Sequence, residues 1–133
     1  MIVDSSALIA VLLREPGYEP ILEHLASDHV VRVGSPTLVE TSMVLVARAG
    51  IVGKTLLARL LEEAGAVVID FTDEHRDLAV QAFITYGKGR HPAGLNFGDC
   101  LTYAVARLSG EQLLCVGEDF PLTDVSLVLG GER

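Results

Sequence analysis

The chain has 133 residues, half of them apolar, and a formal net charge of −8. That length suits one folded domain over residues 1–133 with a proper core, and the apolar content without low-complexity blocks excludes a disordered chain. The acidic balance excludes a broad basic face that holds nucleic acid by charge alone, though not a nucleic-acid enzyme whose acids are neutralised by metal.

Met1-Ile-Val-Asp4 reads as a very short apolar strand ending in an acid, and Ser5–Leu13 as a helix. Its apolar part, Ala7–Leu13, is at the short limit of a signal core and no basic region precedes it. No apolar stretch approaches the roughly 20 residues of a membrane span. Cys100 and Cys115 lie in apolar surroundings without CxxC spacing, as buried reduced thiols do. A soluble cytoplasmic protein is therefore expected.

Pro16-Gly17 breaks the first helix, and Ile21, Leu22 and Leu25 mark a second. Val30–Val33 is a β-branched run suited to a strand. Ser35-Pro36 pairs an N-cap residue with proline at the first helical position of a helix running to about Ala49. Leu56, Leu57, Leu60 and Leu61 mark the next helix, closed by Gly65, and Ala66–Asp70 is the clearest strand. Thr72 or Asp73 then caps a helix with Leu78, Ala82 and Phe83 on its apolar side. Leu101, Ala104, Val105 and Leu108 form a last helical stripe, followed by strands over Gln112–Val116 and Ser126–Leu129. Short apolar strands alternating with helices predict an α/β fold, a parallel sheet covered on both faces. Ligands of such sheets gather at the carboxyl ends of the strands.

Acids stand at those ends. Asp4 follows the first strand, where it caps the next helix or serves a site. Glu40 is one of two charged residues between Leu38 and Ala49 and shares a helical face with Met43, Val44 and Ala47. It either points into an apolar environment that demands a partner, or is solvated near the helix start. Asp99 opens the Leu101–Leu108 helix, and Glu118, Asp119 and Asp124 follow the Gln112–Val116 strand. Carboxylates converging on one cleft repel one another, and a divalent cation relieves that repulsion. Oxygen ligands without His or Cys favour Mg2+ or Mn2+ over zinc, and such ions serve phosphodiester hydrolysis. His24, His29, His75 and His91 lack metal-ligand spacing and suit surface or capping positions.

MIVDSSALIAVL, SPTLVET, LNFGDCLTYAVA and LLCVGEDFPLTD, in this order and spread over essentially the whole chain, resemble the PIN-domain ribonucleases, above all the VapC-type toxins of bacterial toxin–antitoxin systems. The resemblance implies a three-layer α/β/α domain with a short central parallel sheet of four to five strands. It implies an Mg2+-dependent endoribonuclease, with Mn2+ able to substitute, leaving 5′-phosphate and 3′-hydroxyl ends. It further implies a VapB-type antitoxin as inhibitor, a homodimer, and a toxin–antitoxin hetero-oligomer. By position Asp4 and Asp99 resemble the metal ligands and Glu40 the helix acid. The fourth acid is taken as Asp119, which precedes Phe120 as in the late motif, with Glu118 and Asp124 as rivals. Ser6 resembles the small hydroxyl residue that orients the first acid, and Asn96 supports Asp99.

The run GKGRHPAGLNFGDC sets Lys88, Arg90 and His91 just before Asp99 in a chain with only two lysines. These three are candidate contacts to the RNA backbone, or simply a solvated loop. Tyr86 and Phe97 are candidates to stack on a base, core packing suiting Phe97 better. Homodimerisation is expected through the apolar surface of Leu38–Ala49 and Leu56–Leu61. A phosphoacceptor receiver domain needs an acidic pair after its first strand, where Ser5-Ser6 stands. A haloacid-dehalogenase phosphatase needs a second aspartate at position 6, which is Ser6, and there is no phosphate-binding GxxxxGK[ST] loop. The remaining alternative is a PIN-like protein- or RNA-binding module with weak or no nuclease activity.

Overall fold

A computed structural model describes residues 1–27 and 29–128. In chain order the elements are β1 (Ile2–Val3), α1 (Ser5–Leu12), α2 (Tyr18–Leu25), β2 (Arg32–Gly34), α3 (Ser35–Ala49) and α4 (Val52–Glu63). Then come β3 (Val67–Ile69), α5 (Asp73–Tyr86), α6 (Phe97–Ser109), β4 (Leu113–Leu114) and a 3-10 turn over Phe120–Leu122. The four strands are parallel in the order β3-β2-β1-β4, with Ile2 and Val3 opposite Leu113 and Leu114.

Two-residue strands suffice because both of their faces are covered. Side chains alternate across a strand, and here Ile2 and Leu113 pack on α5 and α6 while Val3 and Leu114 pack on the layer of α1, α2 and α4. The result is the expected α/β/α sandwich. Strand order reverses at β1, between β2 and β4, which makes the carboxyl ends of β1 and β4 the crevice of the sheet.

Local differences from the sequence reading have physical causes. The β2 run begins at Arg32, two residues later than its β-branched pattern, and Val30 is exposed. Gly34, not Ser35, occupies the N-cap of α3 in an extended conformation, so Pro36 falls at the second helical position. Thr72 caps α5, and His75 completes the capping box by accepting from the Thr72 N–H at 3.0 Å. The fifth strand is one parallel bridge, Leu113 to Leu127, and Leu129 lies outside the described residues. Cys100 is buried and Cys115 partly so, and the two are not joined in a disulfide. Phe83 and Leu108, placed by periodicity on the apolar stripes of their helices, are exposed, and Phe97 is 82% exposed. Phe97 opens the first turn of α6 and stands between α3 and α5 rather than beneath them. No helix among the described residues is long and apolar enough to cross a membrane.

Candidate active site

Asp4 directly follows β1 and caps α1, so it is the junction of the two elements. Its backbone N–H donates to the Leu114 carbonyl at 3.0 Å, which sets it beside β4 at the crevice. The residue is only 3% exposed, yet its carboxylate is well supplied with donors. Oδ2 accepts from the Ser6 N–H at 3.1 Å and the Ser6 hydroxyl at 2.7 Å, and Oδ1 accepts from the Thr102 hydroxyl at 2.7 Å. The Val116 N–H donates to Ser6 Oγ at 2.9 Å, tying this cap to the end of β4.

Asp99 is the third residue of α6 and shares a capping box with Asn96. The Asp99 N–H donates to Asn96 Oδ1 at 2.9 Å, and the Asn96 N–H donates to Asp99 Oδ2 at 3.1 Å. Burial pushes its carboxyl up from 3.8 to about 6, against the lowering effect of the Asn96 hydrogen bond. The negative charges of Asp4, Asp119 and Glu40 add to the rise. Three carboxylates, from the end of β1, from α3 and from the turn after β4, thus act on the one that opens α6.

Glu40 reaches this place because position 98 has no side chain. A Cβ on Gly98 would lie 2.3 Å from Glu40 Oε2, so α3 can lay its carboxylate against the first turn of α6 only over a glycine. Glu40 also lines an open groove of about 920 Å³ between α3 and α6, with Val39, Met43, Phe97 and Leu101. The apolar surroundings expected for Glu40 are therefore a groove wall facing solvent. Among the described residues no group of three or more His, Cys, Asp or Glu side chains is arranged to hold one ion.

A PIN-domain family model matches residues 1–125. The chain belongs to the PIN-domain family. Within it the chain joins the VapC-type ribonucleases: it is 48% identical to Ribonuclease VapC36 of Mycobacterium tuberculosis over 126 residues, covering 94% of this chain and 91% of the relative. Identity to Ribonuclease VapC30 of the same organism is 41% over 128 residues, or 96% and 98% of the two chains. The crystal structure of M. tuberculosis VapC20, described as a sarcin–ricin loop-cleaving toxin, superposes with a TM-score of 0.77 at 22% identity, covering 96% and 97% of the two chains. That likeness shows the PIN fold.

Of the three late acids, Asp119 is the one whose charge acts on Asp99. Glu118 is exposed in the same turn. Asp124 is engaged elsewhere in this PIN domain: it accepts from the Tyr103 hydroxyl at 2.8 Å and pairs with Arg107 at 3.4 Å. Burial first, then that carboxylate, pushes the Tyr103 phenol far up.

The basic loop is built more tightly than its sequence suggests. Arg90 donates to the Ile84 carbonyl at 3.3 Å and lies over the Phe83 ring at 5.8 Å. His91 accepts from the Ala93 N–H at 3.0 Å and sets its ring edge-on to Tyr86 at 5.1 Å. Both side chains knit the loop to α5, while Lys88 extends from it exposed. The residues that sequence reasoning missed are Gly98, Thr102 and Thr37. Thr102 stands one turn after Asp99, and Thr37 one turn before Glu40, so helical spacing from the acids was the available signal.

Proposed function

We propose that this PIN domain is a magnesium-dependent endoribonuclease that hydrolyses RNA phosphodiester bonds in the cytoplasm, the toxin of a pair whose VapB-type antitoxin inhibits it. The observation that carries the reading is Asp99, whose carboxyl is raised to about 6 by burial and by three neighbouring carboxylates. A divalent cation removes such repulsion, and an all-oxygen set suits Mg2+, with Mn2+ able to substitute. Asp4 and Asp99 are the residues that would hold the ion. Magnesium is usually bound through one or two carboxylates, its shell completed by water and phosphate, so two ligands fit a site without a three-ligand cluster. Bound there, the ion supplies charge neutralisation and polarisation of a phosphoryl oxygen. Glu40 and Asp119 stand beside the pair, where a carboxylate orients the attacking water and takes its proton. Ser6 fixes Asp4 and Asn96 fixes Asp99 through the hydrogen bonds described above.

Lys88 is assigned to the RNA backbone, with Arg90 and His91 shaping the loop that presents it. The acidic cleft also suits an arginine or lysine carried by an antitoxin segment, which would neutralise it without metal. Exposed Val39, Met43 and Val46 on α3 and Val52 and Leu56 on α4 supply the surface for a homodimer and the larger toxin–antitoxin assembly.

The test is cleavage of RNA with and without Mg2+ by the parent protein, Asp4→Asn and Asp99→Asn. Cleavage by the parent in Mg2+ alone, lost in both variants, is the expected result. Cleavage in a chelator, or parent-rate cleavage by either variant, would refute the assignment. RNA binding by the parent with no cleavage in Mg2+ would make the chain a binding module.

A further inference from the structure

Two hydroxyls behind Asp4 have a role that metal ligation does not assign. Thr102 is 1% exposed and Thr37 is 3% exposed, and their oxygens lie 3.2 Å apart between α6 and α3. Either oxygen of such a pair is chemically able to donate, but here the direction is determined. Thr102 has one hydroxyl proton and directs it to Asp4 Oδ1 at 2.7 Å. In the contact between the two threonines Thr102 is therefore the acceptor and Thr37 the donor. The backbone carbonyl of Thr37 receives the Thr41 hydroxyl at 2.7 Å, one further turn along α3.

The other side of the carboxylate is arranged in the same way. Ser6 Oγ receives the Val116 N–H, so its own proton goes to Asp4 Oδ2, which also takes the Ser6 N–H. A carboxylate has about four lone-pair sites. Oδ2 has both of its sites filled, and Oδ1 has one filled by Thr102. Among the described residues nothing fills the fourth site, on the oxygen that Thr102 holds.

We infer that Thr37 and Thr102 form a positioning relay, Thr37 to Thr102 to Asp4, that leaves Asp4 a single free lone pair on Oδ1 and fixes its direction. The relay runs from α3, which carries Glu40, to α6, which carries Asp99. It makes the aim of the Asp4 carboxylate depend on the packing of the two helices that bring the other acids. Thr37 and Thr102 are positioning residues, acting through Asp4. The inference rests on the metal-dependent reading above, since it concerns how one proposed ligand is presented.

Binding of Mn2+ alone to the free protein, by titration calorimetry, tests it alongside urea unfolding in a chelator. Thr102→Val keeps the buried volume but removes the donor, and is expected to weaken Mn2+ roughly 10- to 100-fold, the usual effect of losing a hydrogen-bond partner of a ligand. Thr102→Ser gives up the buried methyl group but keeps the donor, so it is expected to lose stability while binding Mn2+ as the parent does. Thr37→Val leaves Thr102 unanchored and is expected to give a smaller loss of affinity than Thr102→Val. A hydroxyl pair serving only to satisfy buried polar atoms would shift unfolding and leave the metal affinity alone. Parent-like Mn2+ binding in Thr102→Val overturns the relay, and so does parent-like binding in Thr37→Val if Thr102→Val does not fold. A parent that binds no Mn2+ removes the metal-dependent reading and the relay with it, a result distinct from a parent that binds and variants that bind equally.

Discussion

Asp99→Asn is expected to stabilise the metal-free protein at neutral pH while abolishing RNA cleavage. The Asp99 carboxyl is raised from 3.8 to about 6, first by burial and then by Asp4, Asp119 and Glu40. A carboxyl whose pKa is higher in the folded state binds its proton more tightly there. Stability therefore falls as pH rises from about 4 through 6, and the ionised form is a burden above that range. A rise of roughly two pH units corresponds to about 3 kcal/mol. Asp99 is partly exposed, and solvent screening reduces the expected effect to about 1–2 kcal/mol. Asparagine keeps an oxygen for the Asn96 N–H, so the capping box survives and only the charge is lost. Urea unfolding in a chelator between pH 4 and 7.5 measures the difference between parent and variant. It should favour the variant at pH 7.5 and shrink toward pH 4, and Mn2+ should stabilise the parent more than the variant. A variant less stable than the parent at pH 7.5, or a gap independent of pH, would refute the electrostatic argument.

Further substitutions separate the other assignments. Gly98→Ala places a Cβ 2.3 Å from Glu40 Oε2, so the flexible carboxylate must move. Unfolding should be unchanged or later, since alanine gains about 0.5–1 kcal/mol over glycine in a helix, while RNA cleavage falls roughly 10- to 100-fold. Full-rate cleavage would show that the position of Glu40 is unimportant. Asp119→Asn should lose cleavage with little change in stability, and Asp124→Asn should cost about 1–2 kcal/mol through Tyr103 and Arg107 with cleavage intact. The reverse pattern would exchange their roles. Lys88→Ala should weaken RNA binding and reduce its salt dependence by about one phosphate contact, leaving Mn2+ affinity unchanged; an unchanged salt slope removes Lys88 from the interface.

The strand ends were legible because parallel strands covered on both faces read as short apolar runs, and each run at the crevice is closed by an acid. Asp4, Asp99 and Glu40 could be picked out on that ground, since a lone carboxylate in an apolar helix or at a strand end is conspicuous. Thr102 was not, because a threonine within a helical stripe looks ordinary until a residue 98 positions away supplies its acceptor. Thr37 was hidden in the same way, by a partner 65 positions away. Phe97 was misread because an aromatic beside a helix start suggests packing, whereas the first turn of α6 leaves its ring on the groove wall. Asp119 and Asp124 both follow the last main strand, and in the sequence only the resemblance of the motif around Phe120 favours Asp119. In the structure they differ through what α6 presents to each, Asp99 to one and the Tyr103 and Arg107 side chains to the other.

Asn96 is joined to Asp99 by two hydrogen bonds of different kinds. Its side chain accepts from the Asp99 N–H, which fixes the backbone of the first turn, but the group that holds the Asp99 carboxylate is the Asn96 backbone N–H. Any residue except proline supplies that donor. Asn96→Ala is therefore expected to cost about 1 kcal/mol through the lost cap, with RNA cleavage close to that of the parent. Asn96→Pro removes the donor, frees the carboxylate to turn, and should lower cleavage well beyond its effect on stability. Thermal unfolding and cleavage rates of the two variants decide the matter, because equal losses of cleavage in both would place the aiming of Asp99 in the Asn96 side chain. The outcome expected here follows from the double use of Asp99. As a helix cap the carboxylate is held by a backbone group that the sequence cannot easily remove, and that hold keeps it facing three other acids at a cost in stability.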